Sequence, residues 1–180
     1  TTDPIHMYYK RKWARKMHMV LGGGNLTQSL LDSEPVNQKL RSIYRLDPEM
    51  MKEVDTMFGP LDWRLPEAHA IYWAYLGRKR APPRSDVFAN DRMIFQNLAE
   101  LFCDGLLIYD PETGVYETRA DPGMFSRARR FGEKMVRKYE HAQVRQGFIN
   151  FLKKSVEVYR DFGMEHEAAE ALELIGELRG

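Results

Sequence analysis

The chain has 180 residues and a net charge of +1, with 27 Lys and Arg against 26 Asp and Glu, so the distribution of charge says more than its sum. Charged residues at 29% and apolar ones at 43% are ordinary globular values, which excludes general disorder and allows a sizeable core. The single cysteine, Cys103, excludes an internal disulfide, and no apolar run approaches the roughly 18 residues that cross a bilayer.

Up to Val20 there are five Lys or Arg against one Asp, whereas Glu165 to Gly180 holds five Glu against Arg179. Such polarity suits head-to-tail contacts between copies in a homo-oligomer, or two solvated faces with no partner. The chain opens on Thr1-Thr2-Asp3-Pro4 without methionine, as a piece of a longer protein would.

Ile5 to Leu21 reads as a basic amphipathic helix, with Ile5, Tyr9, Trp13, Met17 and Val20 or Leu21 on one stripe. Lys10, Arg11, Lys12, Arg15 and Lys16 surround it. With Trp13 they form a candidate site for an anionic membrane surface or an acidic partner. The alternative is a helix whose aromatic stripe docks on the domain. A membrane segment upstream would place this cluster on the cytoplasmic side, so the expected location is cytoplasmic or at the cytoplasmic face of a membrane. Gly22-Gly23-Gly24-Asn25 reads as a flexible joint. It fails as a phosphate loop, because no strand precedes it and no Lys-Ser or Lys-Thr follows. The chain is thereby divided into a helical arm at 1–24 and a single helical domain at 25–180.

Short elements come next. Asn25 or Thr27 starts a brief helix through Leu31, and Pro35 to Tyr44 forms another with Val36, Leu40, Ile43 and Tyr44 inward. Asp47-Pro48 launches a helix from Met50 to Met57, with proline at a first helical position. The connector from Phe58 to Pro66 is expected to plug its aromatic rings into the core. Glu67 to Leu76 then forms a helix capped by Gly77, followed by an extended basic linker, Arg78 to Arg84.

Ser85 or Asp86 caps a helix to Cys103, with a break expected near Asn90-Asp91. Leu106 to Tyr109 and Val115 to Thr118 flank Asp110-Pro111-Glu112-Thr113-Gly114, a hairpin turn. Asp121-Pro122 opens a helix with Phe125, Ala128, Phe131, Met135, Tyr139 and Ala142 inward. On roughly the opposite side Arg127, Arg130, Lys134, Arg137 and Lys138 form a candidate basic interaction face. Two further helices meet at Gly163. The first has its stripe at Phe148, Phe151, Leu152, Val156, Tyr159 and Phe162, and the second at Ala168, Ala171, Leu172, Ile175 and Leu178. Neither can bury its stripe alone, so the two pack antiparallel.

The turn Phe162-Gly163-Met164-Glu165-His166-Glu167-Ala168 resembles that of a tetratricopeptide repeat, in its glycine and in the alanine five residues on. Trp73-Ala74-Tyr75-Leu76-Gly77 is similar to the tryptophan and leucine-glycine spacing of that family's first helix. The resemblance lies mainly in residues 148–178 and implies stacked helix pairs; no repeat of about 34 residues runs along the chain. Separately, a helix entering the hairpin resembles the end of a winged-helix domain. That likeness implies a nucleic-acid-contacting helix at Asp91 to Leu101, which offers Arg92, Gln96 and Asn97 but also Asp91 and Glu100.

Glu67 and His69 are the most tempting pair for chemistry, but two residues on a helix diverge by about 200°. No His-x-x-x-His, Cys-x-x-Cys or Gly-x-Ser-x-Gly pattern is present. No catalytic, cofactor-binding or metal-ligating residue is therefore assigned. The expectation is a mainly α chain, a helical bundle or short α-solenoid with one β-hairpin near 106–119. Its expected function is a non-catalytic scaffold or adaptor that binds another protein; the alternative is a winged-helix nucleic-acid binder.

Overall fold

A computed structural model describes residues 4–180; the Thr1-Thr2-Asp3 start lies outside them. The chain is mainly helical with one hairpin. In order come α1 (Pro4–Leu21), α2 (Gln28–Leu31), α3 (Glu34–Lys39) running into a π-turn at Leu40–Tyr44, α4 (Pro48–Phe58), α5 (Pro66–Arg80) and α6 (Phe88–Asp104). The antiparallel strands β1 (Leu106–Asp110) and β2 (Val115–Arg119) follow, then α7 (Phe125–Lys138), α8 (Ala142–Asp161) and α9 (Glu165–Arg179).

The described chain forms two compact units: one holds the residues through Asn97 with Leu106–Thr118, the other Leu98–Gly105 with Arg119–Gly180. This division differs from the expected arm at 1–24 and domain at 25–180. In the first unit α1 packs on α3 and α5, and its buried residues are Lys10, Ala14, Met17 and Leu21. At 100° per residue that face is turned by about 80° from the expected stripe. Ile5 and Tyr9, both on the expected apolar stripe, are 66% and 61% exposed, so they do not dock on the domain.

The cause is polar. Lys10 Nζ lies 2.9 Å from Glu67 Oε1 with both side chains buried. A buried cation is tolerated only beside such a partner, and Glu67 is fixed in the first turn of α5.

The connector between α4 and α5 fills the middle of this unit, as its aromatic content implies. Trp63 is fully buried. Its Nε1 and the Leu61 N–H donate to Asp55 Oδ1 at 3.0 and 2.9 Å, and the Trp63 N–H donates to the Gly24 carbonyl at 2.8 Å. Truncating such an anchor to alanine costs about 3–5 kcal/mol. Gly24 therefore serves as a close-packing position, since a Cβ there would come 2.5 Å from the Asp62 carboxylate.

Three further expectations change. α5 runs through Gly77 to Arg80, taking in the first three residues of the expected linker. The glycine admits the Asn90 amide, which donates to the Ala74 carbonyl at 3.1 Å. The helix from Phe88 to Asp104 is unbroken, with Asp86 Oδ1 accepting the Phe88 N–H at 2.8 Å. Ile43 points outward at 66% exposure, because the extra residue per π-turn rotates the face that α3 set.

The hairpin stands where expected: Asp110 accepts the Glu112 N–H at 2.9 Å and the Thr113 hydroxyl at 2.6 Å, and Gly114 takes the left-handed conformation at φ 68°.

In the second unit, Phe102 meets the rings of Phe125, Phe151 and Tyr159 at 5.7 to 5.8 Å. Helix α7 ends at Lys138, and Ala142 begins α8 instead of extending its stripe. Helices α8 and α9 form the most extensive helix pair. Gly163 turns the chain between them at φ 70°. Its N–H reaches the Arg160 carbonyl at 2.9 Å and the Met164 N–H reaches Tyr159 at 2.8 Å, the doubly bonded C-cap that satisfies two terminal carbonyls. Phe162 and Leu172, both expected inward, are 51% and 47% exposed.

Replacing Gly163 by alanine is expected to lower the unfolding free energy by about 1–2 kcal/mol in a urea titration, whereas Leu172→Ser should move it by no more than about 0.5 kcal/mol. Lys10→Met alone strands a buried carboxylate and is expected to cost about 3–5 kcal/mol. Adding Glu67→Leu should restore part of that loss, and a double-mutant cycle reads the coupling.

Candidate functional site

The residues expected to act at α1 separate in the structure. Arg11, Lys12, Arg15 and Lys16 are exposed, Trp13 is half-buried, and Lys10 is withdrawn into its ion pair with Glu67. Lys10 is thus removed from the set that could meet a headgroup or an acidic partner. The Trp13 ring stands edge-on to Tyr44 at 5.9 Å and to His69 at 5.2 Å. Beside it a cavity of about 460 Å³ opens between α1 and Pro66. No described helix is long and apolar enough to cross a membrane.

Glu67 and His69 both have structural partners. His69 Nε2 lies 2.8 Å from the Trp63 carbonyl, and a carbonyl only accepts, so the ring is the Nε2–H tautomer. Burial pushes its pKa down, with the hydrogen bond opposing. On α6, Asp91 is buried with Arg78 Nε at 3.4 Å, and the Asn97 amide donates to the Met93 carbonyl of its own helix at 2.8 Å. Of the residues a groove-reading helix would use, Arg92 and Gln96 are exposed.

The basic face of α7 is more coherent. Arg130, Lys134, Arg137 and Lys138 are exposed, while Arg127 is half-buried and donates from Nη1 to the Gly123 carbonyl at 2.8 Å. Arg130, Lys134 and Arg137 make no ion pair among the described residues. Connections of three residues at each end of α8 make α7, α8 and α9 run up, down and up.

Helices α7 and α9 leave a groove between them with α8 as its floor. At one end Phe125, Arg129, Arg130 and Glu133 of α7 face Glu167 and Glu170 of α9 across Tyr159, enclosing about 400 Å³. At the other end Glu133, Val136 and Arg137 face Leu174, Glu177 and Leu178 across Phe148, enclosing about 240 Å³. Phe148 and Tyr159 lie eleven residues apart on α8, about 16 Å at 1.5 Å per residue. The α7 wall is mainly cationic and the α9 wall mainly anionic. Within the former, Arg129 Nε holds Glu133 Oε1 at 2.8 Å.

Tyr159 registers both walls: its pKa is pushed up to about 12, first by burial, then by Glu167 and Glu170, with Arg129 opposing. The sequence reading missed Arg129 and Glu133 as wall residues, although their spacing of four is a visible helix-pair signal. No family model, curated protein or solved structure matches this chain.

Cys103 is half-buried on α6, and its pKa is raised to about 11, first by burial and then by Glu100, with Lys154 opposing. Against an ordinary value of 9.0, about 100-fold less thiolate forms at pH 8. Alkylation by iodoacetamide is expected to be slower than that of a free thiol by that order, its rate rising with pH towards 11 instead of levelling above 9.

Proposed function

We propose that the chain is a non-catalytic protein-interaction module whose α7–α9 groove receives an amphipathic helical segment of a partner protein. The observation that carries this is the groove itself, in which the half-buried Phe125 of α7 and Leu174 of α9 flank a floor of buried Phe148 and Tyr159 between two walls of opposite charge. A helix laid in a groove is anchored by apolar residues at spacings of three and four. About 16 Å is three turns, enough for such a set. Flanking charges fix its register and its rate of encounter more than its affinity.

The partner segment therefore carries apolar anchors on one face, acidic residues on the side meeting Arg130 and Arg137, and basic residues on the side meeting Glu167, Glu170 and Glu177. The stacked α7, α8 and α9 suit the tetratricopeptide-like architecture, in which helix pairs line such grooves; that architecture is part of the proposal. The same groove need not sit near a bilayer, and membrane-face association adds nothing to its explanation.

Selection from a displayed library of helical peptides is expected to yield binders with this three-sided pattern. Their affinity should fall at least tenfold on Arg130→Glu with Arg137→Glu, and weaken with salt. Lys12→Gln should leave it unchanged. Binders that ignore the α7 charges, or a library that gives none, would sink the proposal.

A further inference from the structure

The cavity between α1 and α5 has a composition that the α7–α9 groove does not explain. Its α1 wall presents Tyr9 and Trp13 as flat surfaces and Lys12 and Lys16 as cations, with His6 beside them and Pro66 contributed by α5. The lining contains no carboxylate. Lys10 also reaches this wall, and Glu67 neutralises it at 2.9 Å.

Lys12 and Lys16 lie one turn apart on the same face, both exposed and without an ion pair among the described residues. The Trp13 indole Nε1 is buried with no hydrogen-bond acceptor among the described residues. That nitrogen is enclosed by protein, so the part of Trp13 that meets the cavity is ring carbon. At about 460 Å³ the space lies within the range of small-molecule sites.

We propose that this cavity binds a mononucleotide, its phosphate held by Lys12 and Lys16 and its base stacked against Tyr9 or Trp13. Phosphate alone would use the cations and leave the rings idle; a neutral aromatic would do the reverse. Only a ligand that joins a phosphate ester to a flat ring uses both. The site lies in the first unit and does not depend on the α7–α9 groove.

The test is calorimetric titration of the whole chain with adenosine 5′-monophosphate, ribose 5-phosphate and adenosine at low salt. The expected result is saturable 1:1 binding of the nucleotide, with ribose 5-phosphate at least fivefold weaker and adenosine weaker still. Lys12→Gln with Lys16→Gln changes two exposed side chains and should reduce affinity at least tenfold with an unaltered melting curve. Absence of saturation at millimolar nucleotide overturns the proposal, as does indifference to the lysine pair or equal binding of ribose 5-phosphate. So does lysine-dependent capture of the chain by phosphatidylserine vesicles that the nucleotide fails to displace.

Discussion

The buried pair of Lys10 and Glu67 is the constraint on which the first unit depends. Four methylenes of Lys10 enter the interior with their charge, and the charge is tolerable only because Glu67 waits in the first turn of α5. That meeting decides which face of α1 is inside. Ala14, Met17 and Leu21 follow Lys10 inward, Tyr9 is left outside, and Trp13 is set edge-on to His69 and Tyr44. The cavity beside Pro66 is a product of the same rotation. A helix that composition presents as a detachable arm is fastened by one of the least arm-like contacts available.

The second unit is organised differently, by apolar stacking with no charge at its centre. Phe102, Phe125, Phe151 and Tyr159 contact one another ring to ring, and the two-bond cap at Gly163 sends α9 back along α8. The charges of α7 and α9 are left at the rims. That arrangement gives a groove with a greasy base and charged edges, the division of labour found in interfaces where apolar anchors supply affinity and rim charges supply selectivity.

What was legible in the sequence was what is encoded locally. The turn from Asp110 to Gly114 carries its own hydrogen-bond acceptors, Gly163 marks a left-handed residue, and the stripe from Phe148 to Tyr159 repeats at helical spacing over a long run. The connector around Trp63 was legible too, because so much apolar surface has nowhere else to go. Features set by distant partners were not legible. Nothing near Lys10 announces Glu67, and Gly77 has the look of a cap until Asn90 is found against it. The π-turn at Leu40–Tyr44 shifts Ile43 outward with no local mark. Of the groove, the α7 cations were visible as a face, but their opposition to the α9 carboxylates requires α8 to be folded between them.

The placement of those opposed charges has a geometric consequence. The walls run side by side along the groove, cationic on α7 and anionic on α9. A helix lying between them with one acidic and one basic flank matches both walls in one orientation. Turned end for end on the same floor, it exchanges left for right and sets like charge against like. On the proposed reading the groove would therefore be a directional reader, distinguishing a segment from the same segment running the opposite way even when every apolar anchor fits equally well.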